Sequence, residues 1–230
     1  MKSLENKISG NLLVVATPIG NLDDVSTRVL SALGEADFIA CEDTRVTKKI
    51  LFAFKIPKEM VSFHQHSQLQ KVDYIIGRIL RGETCALVTD AGTPGISDPG
   101  SQLVEAAVKE GVKISPIPGP SALATLLCVA GEYGGKFLFL GFPPHKKRRN
   151  KFFEEITQTK YPVIIYESSH RILKALESLA ELAPEANLVV GRELTKMFET
   201  IYRGTSGEVK EILGKDANNL KGEFAILIKK

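Results

Sequence analysis

A short apolar run, Leu12-Leu13-Val14-Val15-Ala16, ends at the turn-forming residues Thr17-Pro18-Ile19-Gly20-Asn21. A run of this length followed by a turn signal is typical of a strand buried on both faces, as strands of parallel sheets are. From there to residue 114, strand patterns alternate with helical patterns. The predicted strands are 12–16, 38–41, 60–63, 85–89 and 112–114, and the predicted helices are 25–33, 46–54, 69–80 and 103–109. This alternation predicts a doubly wound, mostly parallel sheet with helices on both faces.

The pattern changes after a predicted apolar helix at 122–129 and a Gly-rich linker at 131–135. Strands are predicted at 137–140, 163–166, 188–190, 197–202 and 224–228, with one helix before the second strand and another at 172–182. The last three strands have no long helical crossover between them, so part of this sheet should be antiparallel. We therefore predict an α/β chain with an N-terminal domain at 1–120 and a C-terminal domain, built on a mixed sheet with helices, at 121–230.

The charge of the chain is concentrated in one place. The chain has 230 residues, of which 43% are hydrophobic and 25% charged, and its net charge is +3. This composition favours folded domains over disorder. Five of the 30 basic residues lie together, and without them the net charge would be −2; they are Lys146, Lys147, Arg148, Arg149 and Lys151. Such a local excess predicts one contact with an anionic partner rather than a generally basic surface.

Several features favour a cytoplasmic protein without a metal. No apolar run approaches the ~20 residues that a membrane helix needs, and residues 1–7 contain no apolar signal-peptide core. The cysteines at 41, 85 and 128 are far apart in sequence, which indicates reduced thiols. His64 and His66 have no cysteine or carboxylate at ligand spacing, so we expect no metal site there.

Three loops that follow predicted strands are rich in glycine and proline, and they span 16–21, 90–100 and 116–121. In a doubly wound sheet all three leave the carboxyl ends of strands, which is the edge where ligands bind. Glycine lets the backbone approach a ligand closely, and proline restricts the loop. Ordinary turn chemistry explains any one of these loops, but three at one sheet edge favour a ligand site.

Common nucleotide-binding motifs are absent from the sequence. It contains no G-x-G, and therefore neither a dinucleotide fingerprint nor the common Gly-rich methyltransferase loop. It also contains no P-loop motif and no G-x-S-x-G nucleophile elbow. These absences argue against a P-loop NTPase, a dinucleotide-dependent enzyme and an α/β-hydrolase.

Strings distributed over residues 11–228 resemble, in the same order, the ribosomal RNA methyltransferases of the tetrapyrrole-methylase superfamily. The strings are VATPIGNL at 15–22, EDTR at 42–45, DAGTPGISDPG at 90–100, PGPSA at 118–122, YESSHR at 166–171 and GRELTK at 191–196. The resemblance implies methyl transfer from S-adenosylmethionine to the 2′-hydroxyl of a cytidine in the decoding region of 16S rRNA. It also implies a cofactor cleft between two α/β domains, and a homodimer acting on the small ribosomal subunit.

The sequence departs from the family pattern at two points. Family members often carry a helical extension after the last strand, whereas this sequence ends at Lys230. If that extension binds RNA in relatives, the basic segment has a larger share of RNA binding here. Ser169 stands where proline is usual, so the backbone of the string at 166–171 is less restricted.

The resemblance assigns the cofactor contacts position by position. The implied cofactor-binding residues are Pro18, Ile19, Gly20, Thr93, Pro94, Ile96, Gly119, Pro120, Ser121 and Ala122 from the three loops, with Tyr166, Leu194 and Ala225 from the second domain. Ser121 also sits at the start of a predicted helix, where a serine can cap the helix and leave amides for a carboxylate.

A base, or a charge that stabilises a developing alkoxide, would assist transfer to a ribose hydroxyl. Three strings place an acid beside a base, and these candidates are Asp43 with Arg45, Glu167 with His170 and Arg171, and Glu193 with Lys196. We favour Glu193 and Lys196 because they follow a predicted strand of the second domain. For each cluster, an ordinary ion pair that docks a loop is the alternative.

The basic segment, together with His170 and Arg171, is the predicted RNA-binding surface, because phosphate contacts dominate RNA affinity. Phe152 and Phe153 follow this segment and could stack on an unpaired base. For both phenylalanines a place on a buried helix face is favoured instead.

Two other functions stay open. A superfamily enzyme that methylates a corrin or a protein would share the cofactor loops, but it would not explain the basic segment. A non-catalytic RNA-binding assembly factor would explain the basic segment, but it would not need intact cofactor loops.

Overall fold

The computed structural model describes residues 10–63, 69–133 and 135–230. The chain forms two compact units, one ending at Ser121 and the other running from Ala122 to Lys230. The Gly-rich stretch at 131–135 therefore belongs to the second unit. The predicted pair His64 and His66 lies outside the described residues.

The first unit is built on a five-stranded sheet in which every strand pair is parallel, in the order β3-β2-β4-β1-β5. Its strands are β1 (Asn11–Val15), β2 (Phe38–Cys41), β3 (Glu59–Ser62), β4 (Cys85–Leu87) and β5 (Lys113–Ile117). Its helices are α1 (Thr27–Glu35), α2 (Thr44–Ala53), α3 (Leu69–Leu80) and α4 (Gly100–Lys109).

Both faces of this first sheet are covered by helices. On one face, Leu12 and Phe38 pack in a core with Ile75 of α3 and Leu103 of α4. On the other face, the core combines residues of β1, β2, β4 and β5 with Leu33 of α1 and Leu51 of α2. The predicted doubly wound parallel sheet is confirmed.

The second unit is built on a mixed five-stranded sheet in the order β6-β7-β10-β8-β9. Its elements are α5 (Ala122–Cys128), β6 (Leu138–Gly141), α6 (Arg149–Gln158), β7 (Val163–Ser168), α7 (Ile172–Leu182), β8 (Asn187–Arg192), β9 (Thr200–Thr205), α8 (Ser206–Gly214) and β10 (Glu223–Lys229). Among the strands that the structure describes here, β6 and β7 pair in parallel and the other three pairs are antiparallel, as predicted. Residues of α6, α7 and α8 pack with one face of this sheet in a single core.

The predicted strand at 197–202 and the region after it need a correction. The strand β9 begins at Thr200, and Met197 and Phe198 lie in the preceding loop with exposed side chains. Helix α8 was not predicted, although it separates β9 from β10. Its start carries a capping box, in which Thr205 and Glu208 hydrogen-bond each other's backbone N–H groups, and this T-x-x-E signal was present in the sequence. Among the described residues, no helix has the length and apolar character needed to cross a bilayer.

Candidate cofactor and RNA sites

The loops after β1, β4 and β5 meet at the carboxyl edge of the parallel sheet. Thr17 and Gly92 form an antiparallel bridge with backbone hydrogen bonds of 2.9 and 3.1 Å, and the buried Thr17 hydroxyl donates to the carbonyl of Thr89 at 3.0 Å. The hydroxyl of Thr93 donates to the carbonyl of Pro120 at 3.0 Å, which joins the second loop to the third. The three Gly/Pro loops therefore form one connected structure, which we call the loop cluster.

Two glycines of the loop cluster lie close against residues of its first loop. A Cβ atom on Gly119 would lie 2.9 Å from the Cβ of Ala16. A Cβ atom on Gly92, whose φ is +87°, would lie 3.3 Å from a methyl group of Ile19. The close contact explains glycine at position 119, and the positive φ explains it at position 92.

Asp98 organises the long loop after β4. Its carboxylate accepts hydrogen bonds from the backbone N–H groups of Gly95, Ile96 and Gly100 at 2.7 to 3.1 Å. Gly100 is the first residue of α4, so the same carboxylate joins the loop to the start of that helix. Asp98 was not predicted as a site residue, although an aspartate ahead of Pro-Gly is a recognisable turn signal.

The structure brings most of the predicted cofactor residues of the first unit together. The predicted residues Pro18, Ile19, Gly20, Thr93, Pro94, Ile96, Gly119, Pro120 and Ser121 all belong to the three loops of the cluster. Pro18, Ile19 and Pro94 are buried, whereas Gly20 and Gly119 are exposed. Ala122 is the first residue of α5 and belongs to the second unit.

Two carboxylates beside the loop cluster were missed from the sequence. Glu42 follows β2 and Asp90 follows the neighbouring strand β4. The Glu42 carboxylate accepts from the hydroxyl of Thr89 at 3.3 Å, and Asp90 accepts from the backbone N–H of Asp43 at 2.9 Å. Burial, followed by the negative charge of Asp90, raises the pKa of Glu42, and burial likewise raises the pKa of Asp90. The negative charges of Glu42 and Asp90 are thus concentrated at this edge of the sheet, and nearby positive charge does not fully compensate them.

Asp43 and Arg45 form a local ion pair at the start of α2. The Asp43 carboxylate accepts from the backbone N–H of Arg45 as a helix cap, and the guanidinium of Arg45 contacts it at 2.5 Å. Hydrogen bonds from Arg45 lower the pKa of Asp43 to about 2. This arrangement supports the helix-capping interpretation of the pair, because the carboxylate is ionised and already occupied.

In the second unit, the three predicted cofactor residues share one face of the sheet. Ala225 is the register partner of both Tyr166 and Gly191, so these three residues point to the same side. Leu194 packs over Gly191, where a Cβ atom would come within 2.8 Å of its side chain. This face is opposite the one that packs against α6, α7 and α8.

Glu193 and Lys196 form an ion pair that fastens the loop after β8. The Glu193 carboxylate contacts the Lys196 ammonium at 2.7 Å and accepts from the backbone N–H of Glu223 at 3.0 Å. Lys196 also contacts the Glu223 carboxylate at 2.9 Å. Burial alone would raise the pKa of Glu193, but its hydrogen bonds outweigh burial and lower this pKa. Burial alone would lower the pKa of Lys196, but its hydrogen bonds to Glu193 and Glu223 outweigh burial and raise this pKa. Both groups are therefore charged and held by partners.

We expect Glu193→Gln to act mainly on stability. The neutral amide weakens charged hydrogen bonds in a half-buried network, which should cost about 1–3 kcal/mol of unfolding free energy, while single-turnover methyl transfer changes only a fewfold. Urea unfolding and rapid-quench kinetics measure the two effects, with Glu181→Gln, at an exposed glutamate on α7, as control. A fall in rate of about a hundredfold or more without loss of stability would assign the carboxylate to catalysis.

The basic segment divides into exposed and buried residues. Lys146, Lys147, Arg148 and Lys151 are exposed. Arg149 is buried, and its guanidinium contacts the Glu167 carboxylate at 3.1 Å and donates to the carbonyl of Pro144 at 3.4 Å. The structure therefore gives Arg149 a place inside the second unit, apart from the other four cations.

Glu167 connects Arg149 with Arg171. Its fully buried carboxylate contacts Arg171 at 2.9 Å, and Arg171 in turn donates to the carbonyl of Pro143 at 3.0 Å. We call Arg149, Glu167 and Arg171 the arginine clamp. The arginine clamp holds the loop at 142–148 through two backbone carbonyls. Arg171 is therefore already bound within the second unit, whereas the predicted RNA-binding residue His170 is exposed.

Comparison with known proteins identifies the class of protein. The sequence model of a family described as tetrapyrrole (corrin/porphyrin) methylases matches residues 11–210. The chain therefore belongs to this family of methylases. Within residues 10–63, 69–133 and 135–230, no group of three or more His, Cys, Asp and Glu side chains is arranged to hold a metal ion.

Curated relatives named ribosomal RNA small subunit methyltransferase I match almost the whole chain. The protein of Neisseria meningitidis serogroup B is 42% identical over 228 residues, which cover 99% of this chain and 78% of the relative. The protein of Halalkalibacterium halodurans is 44% identical, covering 95% of this chain and 75% of the relative. The protein of Borrelia garinii subsp. bavariensis is 39% identical, covering 94% of this chain and 97% of the relative.

Solved structures with low sequence identity share the fold. A diphthine synthase superposes with a TM-score of 0.72 at 18% identity, covering 96% of this chain and 90% of its own. The methyltransferase CobJ superposes with a TM-score of 0.69 at 20% identity, covering 96% of this chain and 95% of its own. The expected tetrapyrrole-methylase fold is confirmed.

Proposed function

We propose that this protein transfers a methyl group from S-adenosylmethionine to the 2′-hydroxyl of a cytidine in the decoding region of 16S rRNA. The observation that carries this proposal is the similarity, over nearly the whole chain, to relatives named ribosomal RNA small subunit methyltransferase I. A substrate in the small ribosomal subunit places the activity in the cytoplasm. The homodimer implied by the family resemblance stays part of this proposal.

The chemistry of the loop cluster fits this cofactor. S-adenosylmethionine supplies a methyl group activated by a positively charged sulfonium. Glu42 and Asp90, whose charges are not fully compensated, provide a negative environment beside the cluster. The exposed backbone at Gly20 and Gly119 is open to close approach by a ligand. We also propose that four residues of the second unit contact this cofactor, namely Tyr166, Leu194, Ala225 and Ala122.

Because the methyl group is already activated, the protein groups need mainly to align the ribose hydroxyl and accept its proton. The sequence predicts Glu193 with Lys196 and Asp43 with Arg45 as catalytic pairs, but the ion-paired geometry of both pairs favours a role in loop docking. The Glu193→Gln measurement described above separates the two roles for the favoured pair.

The exposed cations of the basic segment supply the RNA contacts in this proposal. In the double variant Lys146→Ala/Lys147→Ala we expect weaker RNA binding. The salt slope, which is the slope of log K against the logarithm of the salt concentration, should become smaller in magnitude by about 1.4, since each phosphate contact with single-stranded RNA contributes roughly 0.7. Fluorescence anisotropy at several salt concentrations measures the slope. The matched control is Lys48→Ala/Lys49→Ala, an adjacent pair of exposed lysines on α2. An unchanged slope would remove this loop from the RNA site.

The central experiment is methyl transfer to small ribosomal subunits isolated from cells that lack the activity. We expect labelled methyl from S-adenosylmethionine to appear in 16S rRNA, and mapping by mass spectrometry to locate it on a cytidine ribose. Cofactor binding without transfer to any RNA would contradict the proposal and favour a corrin or protein substrate. RNA binding without cofactor binding would favour a non-catalytic assembly factor.

A further inference from the structure

A groove lies on the first two turns of α6. It has a volume of about 440 Å³, within the usual range of small-ligand sites. Arg148, Lys151, Phe152 and Glu155 line it, and Pro144 of the preceding loop lies among them. Lys151 and Phe152 lie four and three residues before Glu155, which places these three on one face of α6, and Arg148 is the residue immediately before the helix.

The two phenylalanines of this helix have different places. Phe153 is fully buried in the core of the second unit, as expected. Phe152 packs only its inner part on that core and is half-buried, and its remaining surface lines the groove. One aromatic surface is therefore accessible beside two exposed cations.

The lining of the groove matches the parts of a nucleotide. Arg148 and Lys151 carry the charges that bind phosphate. The ring of Phe152 offers a surface on which a base can stack. The Glu155 carboxylate lies one turn beyond Lys151, and it can accept a hydrogen bond from an exocyclic amino group, as carboxylates do from cytosine N4.

Two features of the backbone shape one end of the groove. The carbonyl of Pro144 accepts from Arg149, which is held by the buried Glu167 of the arginine clamp. Arg148 has a left-handed backbone conformation with φ of +68°, an unusual conformation for a residue with a side chain. Backbone conformations of this kind cluster at ligand sites, where the surrounding structure maintains them.

We propose that this groove is a subsite for one unpaired nucleotide of the RNA substrate. The phosphate lies at Arg148 and Lys151, the base stacks on Phe152, and Glu155 favours bases with an exocyclic amino group over uracil. This inference rests on the proposed function, since it names a part of the RNA-binding surface of that activity.

Abasic scanning of the RNA tests the subsite without changing the protein. The probe is a labelled RNA oligonucleotide centred on the methylated nucleotide, and its affinity is measured by fluorescence anisotropy. We expect the loss of one base to weaken binding by about five- to tenfold. Phe152→Leu should weaken the binding of the intact RNA by the same factor. Removing the base should then cause no further loss of affinity in this variant.

Further variants test the two ends of the groove. Lys151→Ala should lower the salt slope by about 0.7. With uracil at the position found by abasic scanning, the wild-type protein should bind more weakly, and Glu155→Gln should lose this preference. Phe52→Leu, at an exposed phenylalanine on α2, is the control for a general loss of aromatic surface.

The outcomes separate the subsite from the proposed function. If the wild-type protein methylates and binds the RNA, but no abasic position weakens binding or Phe152→Leu binds like wild type, the subsite is wrong and the proposed function stands. If the wild-type protein neither binds nor methylates RNA, the proposed function is wrong and the subsite is overturned with it.

Discussion

Glu167→Gln should lower the unfolding free energy of the second unit by about 3–5 kcal/mol, the usual loss when one partner of a buried ion pair is removed. The Glu167 carboxylate is 0% exposed and contacts two guanidiniums, whose side chains are 7% and 18% exposed. One of its oxygens also accepts from the backbone N–H of Ser168 at 2.8 Å. The amide leaves two cations without a counter-charge and turns an N–H group toward other donors.

Urea denaturation measures this loss, and a surface ion pair supplies the matched control. Glu177 contacts Lys210 at 2.8 Å, but both side chains are at least 40% exposed. Glu177→Gln should therefore cost no more than about 1 kcal/mol. The double variant Glu167→Gln/Arg149→Met removes one unpaired cation and should recover part of the stability. Equal effects of Glu167→Gln and Glu177→Gln would show that the arginine clamp does not stabilise the unit.

The same substitution should loosen the loop at 142–148, because the arginine clamp holds the carbonyls of Pro143 and Pro144. Trypsin cleaves after lysine and arginine, so cleavage at Lys146, Lys147 and Arg148 should become faster in Glu167→Gln. Faster cleavage there, without faster cleavage elsewhere in the unit, would separate a local effect from global unfolding.

Elements with a strong local pattern could be predicted closely. Helices α3 and α7 and strand β2 have the predicted bounds, because apolar periodicity and nearby stop signals are local properties of the sequence. Strand β9 was displaced, because Met197 and Phe198 are apolar but lie in an exposed loop. The register of β9 is set by pairing with β8, which no local pattern contains.

The loop cluster could be predicted because three Gly/Pro loops follow strands of a parallel sheet, whose carboxyl ends share one edge. Other parts of the candidate sites could not be predicted. Glu42 and Asp90 are 48 positions apart, and they are neighbours only because β2 pairs with β4. Arg149 looks like its basic neighbours in sequence, and only its contact with Glu167 in the folded unit shows that it is buried.

Asp98→Ala should weaken the binding of S-adenosylmethionine by about 10- to 100-fold, since hydrogen bonds to a charged group contribute about 1.5–3 kcal/mol. Three backbone N–H groups lose their acceptor, and the loop from Gly95 to Gly100 then has to be ordered by the ligand. Asp98→Asn keeps one carbonyl oxygen and should have an intermediate effect. Isothermal titration calorimetry with the cofactor measures both.

A second substitution disturbs the same loop without removing the carboxylate. A Cβ atom on Gly100 would lie 2.7 Å from the Asp98 carboxylate, so Gly100→Ala should also weaken cofactor binding. Asp73→Ala, an exposed aspartate on α3, should bind the cofactor like wild type. Thermal denaturation without ligand shows whether each variant is folded. Unchanged cofactor affinity in folded Asp98→Ala would exclude this loop from the cofactor site.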